Sequence, residues 1–216
     1  MNQTEKDVIY QNRNSYSTLN SISSKTKNIW FVIHGIGYLS KNFIRYFEML
    51  NPEENYIIAP QAPAKYYLGF DFKKVGACWL TKENTENDVE NVMSYLDAIY
   101  KTENIPPHLN LIVLGYSQGV SVVTRWVTRR KIKCYKMILY AGGIPVELTA
   151  KDFVFLNDDE TRVVCIYGDK DPYIGPQRLK EEELKIQEIF GSMAEIYLFE
   201  GGHEFRNNLL LQWIPE

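Results

Sequence analysis

Four stretches of this chain are apolar at nearly every position: "NIWFVIHG" (Asn28–Gly35), "LNLIVLG" (Leu109–Gly115), "YKMILYAGG" (Tyr135–Gly143) and "TRVVCIYGD" (Thr161–Asp169). A strand with one wet face alternates apolar and polar residues, whereas a strand buried on both faces reads as a continuous apolar run. Such runs need a covering layer on each side. Helical segments lie between them. "TENDVENVMSYLDAIYKTE" repeats Val89, Val92, Met93, Leu96 and Ile99 at spacings of three and four, with Thr85 and Asp88 as a capping pair. "QGVSVVTRWVTRRK" and "GPQRLKEEELKIQEIFG" continue the alternation, the second with a proline near its start and Gly191 at its end. The same reading gives strands in "NYIIAP" and "AEIYLFEGG", an opening hairpin in "DVIYQN" and "SYSTLN", and helices around Asn42–Leu50 and in "HEFRNNLLLQWI". The pattern predicts one α/β domain over residues 1–216, a three-layer sandwich around a mostly parallel sheet of about eight strands. No insertion is long enough to form a large lid domain.

Charge and cysteine content exclude several classes of partner. The formal net charge of −3 gives no electrostatic reason to expect nucleic acid. The basic run "RRKIKCYK" (Arg129–Lys136) reads as a helix end, where cations complement the macrodipole. Cys78, Cys134 and Cys165 are odd in number and lack metal-ligand spacing, which fits small buried residues in a reducing compartment. "MNQTEKDVIY" carries acidic residues where a secretory leader needs a basic start and an apolar stretch. No window is apolar enough to span a bilayer. These features lead us to expect a cytoplasmic monomer or homodimer with no cofactor, no metal, no nucleic-acid partner and no stable membrane insertion.

The run "LIVLGYSQGVSVV" (Leu111–Val123) stops at Gly-Tyr-Ser-Gln-Gly and restarts with a helical period. A serine between two glycines, where a buried strand hands over to a helix, is the G-x-S-x-G pattern of a nucleophile elbow. The turn is so tight that flanking side chains would collide, and it holds the serine hydroxyl at the carboxyl end of the sheet, where ligands gather. A serine hydroxyl needs a base to take its proton. Of the three histidines, His108 precedes the strand that carries Ser117 and so lies at the opposite end of the sheet. His34 ends a strand at the correct rim, but it is flanked by buried strand and by the Gly35-Ile36-Gly37 turn, so it is assigned to local packing. His203, in "FEGGHEF", follows two glycines that let a loop swing over the rim and is the candidate base. "GDKDPYIG" places Asp169 and Asp171 at that rim as orienting acids; Asp171, further into the loop, is preferred and Asp169 stays open. Backbone amides of Ile36 and Gln118 are the candidate donors to an oxyanion. "HGIGYLS" lacks the third glycine of a dinucleotide fingerprint, and "NYIIAP" ends without the acidic residue that would meet a ribose, so nucleotide binding is rejected.

The motifs "VIHGIG", "APQAP", the tryptophan in "CWL", "GYSQG", "GDKDP" and "GGHE", in that order from Val32 to Glu204, resemble the phospholipase/carboxylesterase family of α/β-hydrolases, which includes the acyl-protein thioesterases. The resemblance implies an α/β-hydrolase fold, a Ser117–Asp171–His203 triad with Ile36 and Gln118 as oxyanion donors, and a small-molecule ester or thioester as substrate. It favours Asp171 over Asp169. The chain departs from the family's usual pattern at Tyr38, Val120, Leu80-Thr81 and, after the acid Asp171, in the rest of "DPYIGP"; none of these changes a triad residue. The long connection "QAPAKYYLGFDFKKVGACWLTKEN" reads as one wall of a pocket. Trp79, Tyr38, Phe70 and Tyr173 are the expected pocket residues. Carboxylesterase action on short to medium acyl chains is the expected activity, with thioesterase or lysophospholipase action, or a non-catalytic binding module, as the alternatives.

Overall fold

The computed structural model describes residues 3–159 and 161–215; the ends of the expected 1–216 unit lie outside them. In chain order the elements are β1 (Tyr16–Leu19), β2 (Asn28–Ile33), α1 (Ser40–Phe43), β3 (Asn55–Pro60), β4 (Ala64–Tyr67), β5 (Val75–Cys78) and α2 (Thr85–Glu103). They continue with β6 (Asn110–Tyr116), α3 (Gln118–Arg130), β7 (Lys136–Tyr140), α4 (Ala150–Phe153), β8 (Arg162–Gly168), α5 (Pro176–Phe190) and β9 (Ala194–Phe199). One seven-stranded sheet runs β1-β3-β2-β6-β7-β8-β9, and only edge strand β1 is antiparallel to its neighbour.

The continuous apolar runs have the expected cause. Along β6, Leu111 and Val113 enter the core beneath α2, α3 and α5, while Ile112, Leu114 and Tyr116 enter the opposite core. Successive side chains of β2, β7 and β8 divide the same way, because strand side chains alternate faces. The second face is covered by shorter pieces than expected. The helix around Asn42–Leu50 is the four-residue α1 followed by a 3₁₀ turn, Ile44–Phe47, and the last helix is 3₁₀ over Asn207–Trp213. Phe43, Phe47, Phe205, Leu209 and Leu210 nonetheless close that core.

Three further readings are corrected. "DVIYQN" forms no strand, and Val8, Ile9 and Tyr10 are exposed, so β1 pairs with β3 rather than with a hairpin partner. This accounts for seven strands in place of about eight. The long connection after β3 contains an antiparallel ribbon of its own, β4 with β5. Thr85 and Asp88 do not cap α2; Asn84 stands at the N-cap with no side-chain bond, and the Thr85 hydroxyl donates to the Thr81 carbonyl. The basic helix end behaves as expected, since Arg129 and Arg130 in the last turn of α3 pair with Glu86 and Asp97 of α2 at 2.8 and 2.7 Å. Strand order reverses between β3 and β6 on either side of β2, so a crevice opens at the carboxyl ends of β2 and β6.

Candidate active site

Ser117 sits in that crevice, between the end of β6 and the start of α3, with φ +52° and ψ −117°. A non-glycine residue in this region is strained by its Cβ, at a cost of roughly 1–3 kcal/mol. The surroundings hold it there. The Ser117 amide donates to the Tyr140 carbonyl at 2.8 Å, and a Cβ on Gly119 would lie 2.2 Å from the Ile33 carbonyl oxygen. A Cβ on Gly115 would lie 2.4 Å from the Gly119 carbonyl oxygen. Both glycines of the motif are therefore required by backbone packed against backbone. Gly142 serves the same purpose just after β7, where a Cβ would lie 2.3 Å from the Ser117 carbonyl oxygen; nothing in its local sequence marks it.

The structure brings Ser117, His203 and Asp171 into one hydrogen-bonded line. His203 Nε2 is 2.8 Å from Ser117 Oγ, and His203 Nδ1 is 2.6 Å from Asp171 Oδ2. A ring that donates from Nδ1 to the carboxylate presents Nε2 as an acceptor for the serine hydroxyl. The Asp171 carboxylate is fully buried, and its other oxygen accepts the amides of Tyr173 at 2.8 Å and Ile174 at 3.3 Å. Asp169 does other work at the same rim. Its Oδ1 accepts the Gly201 amide at 2.9 Å, so it ties down the glycine loop that delivers His203. Tyr116 adds a contact that periodicity hides inside an apolar run. Its hydroxyl donates to the His203 carbonyl at 3.1 Å, and its ring stacks on the imidazole with centroids 5.5 Å apart. His108 is exposed, away from this group.

Gln118 follows Ser117 directly, and Ile36 follows Gly35, where an added Cβ would lie 3.1 Å from the Ser117 Cβ. Gln118 opens α3, so its N–H is one of the donors a helix leaves without an internal partner. Its side chain is fixed by the Trp79 amide, which donates to Oε1 at 2.8 Å, and by the Leu80 carbonyl, which accepts from Nε2 at 2.7 Å. Ile36 lies in a turn closed by Tyr38 N–H to Gly35 C=O at 3.3 Å, with Gly37 at φ +84° and its amide bonded to Ala77. His34 stabilises this turn. The Ala62 amide donates to its Nε2 at 3.2 Å, which leaves Nδ1–H to donate to the Gly35 carbonyl at 2.7 Å.

Burial lowers the His34 pKa from 6.5 to about 4, against the opposing effect of the Gly35 hydrogen bond. The unfolded chain takes up this proton near pH 6.5 and the folded protein only near pH 4, so stability is lost as pH falls through that window. Between pH 7 and pH 5 the expected loss from this group is about 2 kcal/mol. Urea unfolding of wild type and His34→Gln at the two pH values would measure it: the variant should lack that share of the decline, and equal declines would contradict the assignment.

The four expected pocket residues separate. Tyr173 is exposed and sets its ring edge against His203 at 4.8 Å. Tyr38 is half-buried and meets Tyr116 edge-on at 5.8 Å. Trp79 is instead a core residue, 2% exposed, whose indole N–H donates to the His34 carbonyl at 2.8 Å. Phe70 stands fully exposed in the connection between β4 and β5, in contact with no wall of the site. Beyond Gly142 an open groove of about 700 Å³ is lined by Gly143–Val146, Gly175–Arg178, Glu181 and Glu182. Sequence reading passed over this segment because it has no local period.

A model of the family described as serine hydrolase (FSH1) matches residues 33–209. No curated protein matches the chain. Solved structures similar to it include acyl-protein thioesterase 2 of Zea mays, at 14% identity over 93% of this chain and 97% of that one, with a TM-score of 0.69. A phospholipase/carboxylesterase of Dyadobacter fermentans is 18% identical over 94% and 97% of the two chains, with a TM-score of 0.67. A carboxylesterase of Mesorhizobium loti is 16% identical over 88% of each, with a TM-score of 0.66. At these identities the likeness is one of fold, and the fold is that of the α/β-hydrolases.

Proposed function

The chain belongs to the serine hydrolase (FSH1) family, and from that premise we propose that it is a carboxylesterase-type enzyme that cleaves esters of short to medium acyl chains through an acyl-enzyme on Ser117. One observation carries the reading: the unbroken line from Asp171 through His203 to the Ser117 hydroxyl. In the proposed first step Ser117 Oγ attacks the ester carbonyl carbon while His203 Nε2 takes the hydroxyl proton. Asp171 holds the imidazole in the required tautomer and stabilises its cation. The amides of Ile36 and Gln118 meet the oxyanion that forms on the carbonyl oxygen. Collapse of this intermediate releases the alcohol, which receives its proton from His203. Water then attacks the acyl-enzyme by the same route and frees the acid. A thioester follows identical steps with a thiol as leaving group. Among the described residues, the segment from β7 to β8 holds α4 and a 3₁₀ stretch and no further layer over the site.

Labelling with a fluorophosphonate probe, with mapping of the modified residue, tests the nucleophile. A p-nitrophenyl ester series from acetate to laurate, run beside matched thioesters, tests the substrate class. We expect modification at Ser117 and highest kcat/KM on short to medium esters. Folded protein that neither reacts with the probe nor turns over any member of the series would point to a binding module with a hydrolase fold.

A further inference from the structure

The β4–β5 ribbon presents apolar side chains that none of the described residues covers. Tyr67, Leu68, Phe70 and Phe72 are 56%, 46%, 101% and 66% exposed. Ordinary surfaces carry apolar residues singly, and a contiguous group of large ones marks a surface that meets something else. The tip is ordered. Leu68 N–H donates to the Lys74 carbonyl at 2.8 Å, and the rings of Tyr67 and Phe72 meet edge-on at 5.1 Å. Phe72 has φ +56°, a costly conformation for a bulky side chain, and it stays mostly exposed. Lys65, Lys73 and Lys74 flank these rings and outnumber the single acid, Asp71, on a chain of net charge −3. All four charged residues are exposed.

We infer that the β4–β5 ribbon docks the protein on an anionic lipid surface, with Phe70 and Phe72 entering the headgroup region and the three lysines meeting lipid phosphates. Aromatic tips with cationic flanks have the composition of an interfacial anchor, and the lysines give the charge complementarity that a purely apolar partner would not require. The anchor is coupled to the site. The Gly37 amide donates to the Ala77 carbonyl of β5 at 2.8 Å, and a Cβ on Gly76 would lie 2.5 Å from the Gly37 carbonyl oxygen. Docking therefore places the Ile36 turn at the interface. Ile36, next to Gly37 in that turn, is 51% exposed and extends the apolar rim. Where the hydrolase reading of Ser117 holds, which the docking itself does not require, the favoured substrates are esters dispersed in that surface. The anchor is peripheral, and no helix of the described residues is long and apolar enough to cross a membrane.

Flotation of the full chain with vesicles of 70% phosphatidylcholine and 30% phosphatidylglycerol tests the docking, with pure phosphatidylcholine as control. We expect binding to the anionic vesicles that weakens with salt. The double variant Phe70→Ser/Phe72→Ser should lose tenfold or more in partition, and each Lys→Glu change at positions 65, 73 and 74 about fivefold or more. Turnover of soluble p-nitrophenyl acetate by these variants should match wild type, which shows that they fold. Wild-type protein that stays out of both vesicle fractions overturns the inference. So does equal flotation of the Phe70→Ser/Phe72→Ser variant, or a ribbon-dependent dimer in sedimentation with no vesicle binding. Ser117→Ala protein that floats normally, beside wild-type protein with no esterase activity, would leave the docking standing and remove the proposed reaction.

Discussion

Replacing Ser117 by alanine is expected to lower kcat/KM on a p-nitrophenyl ester by about 10⁴- to 10⁶-fold while the protein stays folded. The size follows from the proposed chemistry. The hydroxyl is the atom that forms the acyl bond, and its removal leaves only substrate binding and the Ile36 and Gln118 amides to act on an attacking water. Stability should hardly respond. The strain at φ +52° comes from the Cβ, which alanine keeps, so what is lost is the 2.8 Å hydrogen bond to His203. That bond is worth about 1 kcal/mol, or a melting-temperature change of a few degrees at most in a chain of this size. Burst kinetics, steady-state rates and calorimetry on the two proteins separate the effects. A variant that keeps more than about one per cent of wild-type activity would place the nucleophile elsewhere.

The parts of the fold that were legible in the sequence are those where burial leaves a mark on every residue. Strands β2, β6, β7 and β8 feed two cores each, so their runs admit no polar interruption and could be read directly. Ser117 was legible because the turn excludes side chains at Gly115 and Gly119. Residues 7–12 failed for the opposite reason. Val8, Ile9 and Tyr10 have strand character, but whether an edge strand has a partner outside it depends on tertiary placement that composition does not record. The same limit separated Asp169 from Asp171. Both leave β8 in one short loop, and only the path of the 200–203 segment decides that one meets an amide and the other an imidazole. Trp79 was misplaced because a large aromatic in a long loop reads as pocket lining. Its indole N–H instead finds the His34 carbonyl, a partner 45 positions away.

Gly119→Ala should be strongly destabilising, and its sign reverses what local reasoning gives. Gly119 is the second residue of α3, where alanine would gain about 1 kcal/mol of helix propensity. The structure opposes this gain. The new methyl would lie 2.2 Å from the Ile33 carbonyl oxygen and 2.9 Å from that of His34, both of them backbone atoms at the end of β2. Neither can rotate away as a side chain would. Relief requires the start of α3 to retreat from the sheet by about 1 Å, which opens the interdigitated core beneath it, and we expect a loss of more than about 4 kcal/mol. Such a retreat also carries Ser117 off its line with His203, so any folded fraction should have lost about 100-fold in turnover. Gly175→Ala is the matched control. It precedes α5 in an extended conformation, with nothing within 4 Å of the added methyl, and should shift stability by no more than about 0.5 kcal/mol. Guanidinium unfolding of the two variants beside wild type decides the matter. A Gly119→Ala protein as stable as the control would mean that β2 and α3 are not in the close backbone contact from which the elbow, and with it the position of Ser117, is built.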